Sequence, residues 1–409
     1  EVETENSLGP EQVEQWKNVF EMAYEKPENE DPRYNFVSWN SSYTGEPIPI
    51  EEMKEWVEGT CSRIESLKPQ KVLEIGCGTG LILFRIAPQC EKYVGTDISQ
   101  TSLDYIEENL AKYGLDKAKI KLYNKPAHDN SCFENEKFDT VILNSVVQYF
   151  PDINYLAKVL ERLKEIVEPG GHIFIGDVRN NLLLEHFHSS VELFKAHSTS
   201  SLLLLKERLS RNIAMEEELT VKPEFFREFG KCFDSRISVR VLLKDSQYLN
   251  EMSKFRYDVI IKMGKQNGKE EPTHMKILNY ADQIEDIYSL EDFLAKSPGQ
   301  VIGIKNIKNG RLSYEINMLE LLKKSPDTIE IGAIKEKLKN SQPSGIDPDE
   351  LRKLGKKYSF DTYFHLCASG IPDCYDSFLV PDHCEKPTTD FGIQVGLQHD
   401  EKNSTGRWD

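Results

Sequence analysis

The chain has 409 residues and, with 51 basic against 68 acidic side chains, a formal net charge of -17. At about 150 residues per domain, this length predicts two or three structural units. The acidic balance disfavours nucleic acid as a partner, and no apolar run approaches the roughly 20 residues of a membrane helix, so we expect no membrane partner. Eight cysteines without a CxxC pair predict reduced thiols, a cytoplasmic location and no metal site.

The first 68 residues predict a helical lead-in or cap. An amphipathic helix is expected over residues 11–24, where Val13, Trp16 and Phe20 recur at helical spacing. A turn-rich stretch at 39–49 then precedes a second helix that Pro69 ends.

Residues 69–264 predict a Rossmann-like α/β core with helices on both faces of a parallel sheet, because short apolar runs alternate with helical patterns. A helix-rich stretch at about 182–236 does not fit that alternation, and we interpret it as an inserted lid over the active site. The strands are expected at 72–75, 93–96, 138–143 and 172–176, with a pair at 237–243 and 255–263 that completes the sheet.

A polar, glycine-containing linker at 264–273 marks a domain boundary. Residues 274–381 are then expected to form a C-terminal α+β subdomain, and the polar tail at 385–409 is expected to be disordered. No internal repeat is visible in the sequence.

Gly76, Gly78 and Gly80 form a loop between the strand at 72–75 and an apolar helix pattern. Glycines permit a tight turn and let the backbone approach a ligand closely. The spacing differs from that of dinucleotide sites, and Asp97, which ends the next strand, is placed to accept hydrogen bonds from ribose hydroxyls. We interpret these features as a site for an adenosine ligand without phosphates. A dinucleotide site and a turn that serves only helix packing are the alternatives.

The run Val-Leu-Glu-Ile-Gly-Cys-Gly-Thr-Gly at 72–80 resembles motif I of class I S-adenosylmethionine-dependent methyltransferases. The resemblance covers about residues 70–180. It implies that Glu74 helps to place the methionine amino group of the cofactor, that the glycines wrap its amino-acid part and that Asp97 holds its ribose. Further candidate cofactor contacts are Tyr43, Ile98, Asn144 and, around the adenine, residues 127–129, with His128 and Asp129.

Four more segments resemble the methyltransferase domains of modular polyketide and nonribosomal peptide synthases. They lie at 39–49, 144–151, 250–259 and 346–351. In that family, a chain tethered to a carrier protein is methylated on nitrogen or oxygen during assembly. The resemblance therefore implies an acyl carrier protein and neighbouring synthase domains as partners.

The acceptor atom is predicted from departures within that family. Residues 364–374 differ from the ending typical of amide-methylating members, and the tail carries no recognisable adenylation segment. Both departures favour an O-methyltransferase that acts on a β-hydroxyl or an enolised β-keto oxygen. The alternatives are N-methylation of a carrier-bound aminoacyl amine and a catalytically silent, cofactor-binding scaffold.

An alcohol acceptor needs a base at its hydroxyl. Glu185 and His188 are spaced i and i+3, on one face of the expected lid helix. We assign His188 as the general base and Glu185 as its orienting partner or a second acid/base group; the alternative is a histidine without chemistry.

Tyr149 and Arg179 are candidate substrate contacts because they follow strands at the edge where open α/β sheets place ligands. For Arg179, pairing with Asp177 is the preferred interpretation. The apolar run at 202–205 either lines a tunnel for a phosphopantetheine-linked chain or packs in a helix core, and core packing is preferred.

Overall fold

The computed structural model describes residues 8–24, 31–129, 131–133, 136–233, 237–264, 275–284 and 286–384. The tail at 385–409 and most of the linker at 264–273, which were predicted from composition, lie outside the described residues. Among the residues that are described, no helix combines the length and the apolar character needed to cross a bilayer.

The helices of the described chain alternate with strands over much of its length. Their bounds are α1 Leu8–Ala23, α2 Ile50–Ser66, α3 Leu83–Ile86, α4 Gln100–Leu110, α5 Ile153–Ile166, α6 Leu184–Lys195, α7 Leu202–Ala214, α8 Pro223–Phe233, α9 Glu251–Lys254, α10 Tyr280–Gln283, α11 Ile287–Ala295, α12 Ser313–Lys324, α13 Ile331–Lys339 and α14 Pro348–Lys357.

The strands form one sheet of eleven, in the order β3-β2-β1-β4-β5-β7-β6-β10-β11-β9-β8. Their bounds are β1 Lys71–Ile75, β2 Lys92–Asp97, β3 Ile120–Asn124, β4 Phe138–Asn144, β5 Val167–Arg179, β6 Ser238–Leu243, β7 Arg256–Lys262, β8 Lys276–Asn279, β9 Ile302–Lys308, β10 Phe360–Leu366 and β11 Cys374–Pro381.

Strands β1 to β5 pair in parallel, and β7 and β6 add antiparallel strands at one side. This confirms the Rossmann-like α/β class. Helices cover both faces, so β1 is buried on both sides from Val72 to Ile75. The prediction that the strand pair at 237–243 and 255–263 completes the sheet was wrong, however. The pair β6–β7 does not complete the sheet, because β6 continues to β10 through the pair Leu242 and His365.

Helix α5 illustrates how the sequence determines the layers. Asp152 caps its first turn by accepting a hydrogen bond from the Tyr155 backbone N–H at 2.7 Å. Its buried face, with Leu156, Leu160 and Leu163, recurs every three or four residues and packs into the main core. Burying such leucines stabilises the fold by roughly 2 kcal/mol each.

The C-terminal unit repeats the topology of the unit before it. The strand order β4-β5-β7-β6 returns as β8-β9-β11-β10, with the same parallel and antiparallel pairings. We call residues 138–262 the first repeat and residues 276–381 the second repeat. The sequence shows no repeat, because the shared features are backbone devices that few identical residues encode.

One such device follows the second strand of each repeat. Asp177 and Asn306 both adopt left-handed backbone, with φ of 66° and 58°. A few residues later, Asn180 and Asn309 each cap a short 3-10 turn with the side-chain oxygen. Asparagine and aspartate tolerate left-handed backbone better than other non-glycine residues do.

Candidate active site

A cavity of about 760 Å³ opens at the carboxyl ends of β1, β2, β4 and β5. Helix α1 covers one side of it, and α6 with the segment after α7 forms the opposite wall. Ligands of open α/β sheets bind at this edge of the strands. The cavity is therefore the candidate site.

The glycine loop lies at the floor of the cavity. Gly76 and Gly78 both line it, and their φ values of 71° and 50° lie in the left-handed region. A side chain on Gly76 would come within 2.3 Å of Val146, so no other residue fits there. Gly80 does not line the cavity. A side chain there would meet the Phe84 ring at 2.8 Å, so this glycine serves helix packing.

Asp97 ends β2 and its carboxylate lines the cavity beside the loop. One carboxylate oxygen accepts from the Gly78 N–H at 2.8 Å, and the other accepts from the Ser99 N–H at 2.9 Å. Burial raises the pKa of Asp97, and these backbone donors oppose that rise. Each oxygen keeps a lone pair for a ligand. Ile98, the next residue, also lines the cavity.

Glu74 does not reach the cavity. Its carboxylate is buried behind the loop and accepts a hydrogen bond from the Tyr93 hydroxyl at 2.7 Å. Burial raises the pKa of Glu74 to about 8, although the Tyr93 hydrogen bond acts in the opposite direction. The role of Glu74 in placing the methionine amino group of the cofactor stays a prediction.

Four more predicted contacts lie next to the cavity without lining it. The Tyr43 hydroxyl shares a 2.6 Å hydrogen bond with Ser190, and Asn144 donates to Ser145 at 3.1 Å. His128 bonds the Tyr155 hydroxyl at 2.8 Å, and Asp129 forms an ion pair with Lys125 at 2.7 Å. Local partners hold these side chains, while their neighbours Ser145, Tyr155 and Lys125 line the cavity. Of the predicted segment 127–129, Ala127 lines the cavity.

Helix α1 supplies residues that the sequence did not assign to the site. Trp16, Phe20 and Tyr24 line the cavity, and the rings of Trp16 and Phe20 lie 4.7 and 4.9 Å from that of Tyr149. Burial and the nearby Asp97 carboxylate raise the pKa of Tyr24 well above its ordinary value. The helical spacing of these aromatic residues was visible in the sequence, but it gave no indication of what the aromatic face covers.

Tyr149, Arg179 and His188 line the cavity as predicted, but their partners differ from the prediction. The Nε2 atom of His188 lies 2.9 Å from Glu216, not beside Glu185. Glu185 is wrong as the orienting partner, because its carboxylate pairs with Lys323 at 2.8 Å on the outer surface.

The pairing of Arg179 with Asp177 was also wrong. Arg179 pairs with Glu216 at 2.7 Å and with Glu218 at 2.8 Å. Burial alone would raise the pKa of Glu216, but hydrogen bonds from His188 and Arg179 lower it to about 2. The sequence did not predict this cluster, because Glu216 lies in the turn after α7 whereas His188 and Arg179 lie before α7.

Asp177 instead belongs to a buried polar network beneath the cavity. Its carboxylate accepts from Trp56 at 3.1 Å, from Ser145 at 3.0 Å and from Arg256 at 2.6 Å. Ser145 and Arg256 line the cavity, so Asp177 holds two of its polar groups. Lys244 lies 3.5 Å from the same carboxylate.

The apolar run at 202–205 packs in a core, as preferred. Leu202 and Leu205 are buried against α12 and α13 of the second repeat, while Leu203 and Leu204 are exposed. None of the four lines the cavity, which favours core packing. Within the predicted lid, α8 also packs on the sheet rather than over the site.

Within the described ranges, no group of histidine, cysteine or acidic side chains is arranged to hold a metal ion.

The family model described as a methyltransferase domain matches residues 67–265. Chondramide synthase cmdD of Chondromyces crocatus is 34% identical over 385 residues, which are 91% of this chain and 10% of that synthase. The nonribosomal peptide synthetase CymA of Salinispora arenicola, described as probable and non-canonical, is 35% identical over 253 residues, 62% of this chain and 3% of that protein. The chain thus spans a tenth or less of these relatives.

Among solved structures, the N-methyltransferase NodS of Bradyrhizobium japonicum in complex with S-adenosyl-l-homocysteine is 14% identical, with a TM-score of 0.39. That likeness covers 60% of this chain and 97% of NodS.

Proposed function

The chain contains a methyltransferase domain that uses S-adenosylmethionine, and from this premise we propose that it methylates the amine of an aminoacyl group tethered to a carrier protein. Two relatives, CymA of Salinispora arenicola and asqK of Emericella nidulans, are nonribosomal peptide synthetases by name and match 62% and 80% of this chain. Because the chain spans a small part of each, neighbouring synthase domains and a carrier protein are part of the proposal.

The residues of the cavity floor fit this cofactor. Gly76 and Gly78 leave backbone, not side chains, facing the ligand, and Asp97 offers carboxylate lone pairs to a diol. Tyr24 brings a buried hydroxyl close to the same carboxylate. When bound, the cofactor supplies an electrophilic methyl group on a positively charged sulfur.

The acidic wall of the cavity is the observation that carries the choice of a nitrogen acceptor. Both arginines that line the cavity are already paired, Arg179 with two glutamates and Arg256 with Asp177. Six carboxylates line the cavity against four cations, which are these arginines with Lys125 and Lys195, so the lining is net acidic and would attract an ammonium group in a partly dry site. The carboxylates are those of Asp97, Glu192, Glu216, Glu217, Glu218 and Glu251.

An ammonium group must lose a proton before its nitrogen can attack the methyl carbon. In the arrangement we propose, His188 donates its Nε2–H to Glu216 and presents the lone pair of Nδ1 to the acceptor. The Nδ1 atom takes the proton, and Glu216 stabilises the imidazolium that forms. The neutral amine would then be free to accept the methyl group that the bound cofactor would supply.

The preference for an oxygen acceptor, which rested on residues 364–374, stays a prediction. A hydroxyl would use the same base, so His188 does not separate the two acceptors. The negative charge of the cavity wall does separate them, because it attracts an ammonium group and has little attraction for a neutral hydroxyl.

The test is mass spectrometry of carrier protein loaded in separate samples with an aminoacyl, a des-amino acyl and a β-hydroxyacyl chain. We expect a mass gain of one methylene unit on the aminoacyl carrier alone. A gain on the β-hydroxyacyl carrier alone would reject the amine and support oxygen. A gain on neither, with the cofactor bound, would reject both acceptors.

A further inference from the structure

The two repeats meet around a pseudo-twofold axis. Counted from the capping residues Asn180 and Asn309, Ser201 and Glu330 occupy the same position in their repeats, and they pair with each other in an antiparallel bridge. Leu242 and His365, which pair where the two half-sheets join, also occupy equivalent positions. Equivalent residues that face each other are the signature of an isologous interface.

The hydrogen bonds around that bridge are reciprocal. The Leu202 N–H donates to the Ile329 oxygen at 2.9 Å, and the equivalent Ile331 N–H donates to the Ser200 oxygen at 2.9 Å.

The next pair outward is reciprocal as well. The Leu203 N–H donates to the backbone oxygen of Asp327 at 3.0 Å, and the Gly332 N–H donates to the backbone oxygen of Ser198 at 2.7 Å. Two further bonds cross the axis from equivalent lysines, Lys206 to Asp327 and Lys335 to the Ala196 oxygen.

Two apolar clusters lie across the same junction. Leu193 of α6 and its equivalent Leu322 of α12 share one cluster with α7 and α13. Leu183 and its equivalent Leu312 share the other with Ile316.

Phe187 of α6 packs against the second cluster and lines the cavity beside His188. The second repeat thus contacts the back of the helix whose front faces the active site.

We propose that the second repeat is a positioning element for methyl transfer, in which Ile316 and Leu322 hold α6 so that His188 meets Glu216. This rests on the proposed role of His188. The segment that follows α6 is fixed by the reciprocal backbone hydrogen bonds, and α6 itself packs on α12 in both apolar clusters, so a rotation of α6 would disturb both sets of contacts. The second repeat itself lacks counterparts of β1 to β3, which carry the glycine loop and Asp97.

The first test compares two truncations in the second repeat. Ile316→Ala removes a side chain at the junction, and Leu290→Ala removes one of equal size from the buried face of α11, which belongs to the core under the second half-sheet. We expect Ile316→Ala to lower kcat at least tenfold and to speed amide exchange in α6, with the cofactor Kd changed less than twofold. Ile316→Leu, which keeps the size of the side chain, should leave both kcat and amide exchange in α6 at the values of the parent protein.

Leu290→Ala should leave kcat and exchange in α6 within twofold of the parent at a temperature where both variants are folded. Equal losses in the two alanine variants would mean that general destabilisation, not positioning, is at work, and would overturn the proposal. An unchanged kcat in Ile316→Ala would do the same.

A disulfide provides the rescue. Ser201 and Glu330 form a non-hydrogen-bonded antiparallel pair, for which a Cα separation of about 4.5 Å suits a disulfide. In the Ile316→Ala background, oxidised Ser201→Cys/Glu330→Cys should regain most of the lost kcat, whereas the reduced form should not. No gain on oxidation contradicts a positioning role.

Amide exchange separates this proposal from the proposed function, because it needs no acceptor. If no carrier-bound amine is methylated but α6 loosens only in Ile316→Ala, the acceptor is wrong and the junction still holds the helix. If α6 exchanges alike in all variants, the positioning proposal fails whichever acceptor is methylated.

Discussion

The two repeats place polar side chains at equivalent points of the same backbone, but only the first repeat builds a network of buried charges there. In the first, the Asp177 N–H donates to Asp258 at 2.8 Å, and Lys244 contacts both carboxylates. In the second, the Asn306 N–H donates to Asp376 at 2.8 Å.

The position equivalent to Lys244 in the second repeat is Cys367, whose sulfur lies 3.0 Å from Asn306. The backbone device is kept while one acid and one cation are replaced by neutral groups. Buried charges are costly unless they are paired. The comparison teaches that the fold needs the aspartate that accepts the backbone N–H, whereas the additional charges belong to the cavity, where Asp177 holds Ser145 and Arg256.

Exchanging residues between the repeats gives the largest expected effect on stability. Asp177→Asn installs the residue of the second repeat, and the left-handed backbone tolerates it, as Asn306 shows. It leaves Arg256 without its carboxylate and Lys244 with Asp258 alone, so we expect a loss of about 3–5 kcal/mol in the free energy of unfolding, measured with denaturant.

Adding Lys244→Cys should recover part of that loss, because the double variant restores the charge balance. The control is Asn317→Ala, an exchange in the second repeat away from the network. If the double variant loses as much free energy of unfolding as the two single variants together, the two charges are not coupled as proposed.

His188→Ala tests the chemistry that distinguishes the repeats. We expect kcat to fall about 100-fold to 1,000-fold, the usual contribution of a general base, with cofactor affinity unchanged. The matched variant Asn317→Ala changes the equivalent residue of α12 and should leave kcat within twofold. Steady-state methylation assays and calorimetry check the two values. Similar kcat in both variants would remove His188 from the mechanism.

Asp97→Asn tests the strands that have no counterpart in the second repeat. The amide keeps the size of the side chain but loses a charged acceptor, so we expect the cofactor Kd to rise about tenfold to 100-fold. Asp104→Asn, the same change at an exposed position of α4, is the control. Isothermal titration with the cofactor measures both, and equal affinities would exclude Asp97 from the cofactor site.

Glu74→Gln should have the smallest effect on function and a clear effect on the pH dependence of stability. The pKa of Glu74 is raised in the folded state from 4.5 to about 8. A raised carboxyl pKa favours folding below pH about 4.5, and that stability is lost as the pH rises towards 8.

The glutamine variant lacks this loss, so its Tm should exceed that of the parent at pH 8, by an amount equivalent to roughly 2–4 kcal/mol, and match it near pH 4. Glu91→Gln, at an exposed position, should follow the parent at every pH. A parallel Tm profile for Glu74→Gln would contradict a buried neutral carboxyl.

The site was predictable where it depends on short stretches of chain. Gly76, Gly78 and Asp97 follow from a strand, a loop and a strand end, and they line the cavity as expected. The partner of His188 was not predictable. Helical spacing put Glu185 on the same face of the helix as His188, but side chains three residues apart can still point in different directions. The Glu185 carboxylate forms an ion pair with Lys323 on the outer surface.

The order of the elements, the parallel core and the cofactor loop could be predicted from the chain alone, because hydrophobic period and glycine position are local properties. The acids around His188 and Arg179, the position of α1 over the cavity and the second repeat became visible only in the folded protein. Those features depend on contacts between distant residues and on backbone hydrogen bonds, which any side chain can accompany. The pseudo-twofold junction that supports α6 is therefore absent from the sequence pattern and plain in the fold.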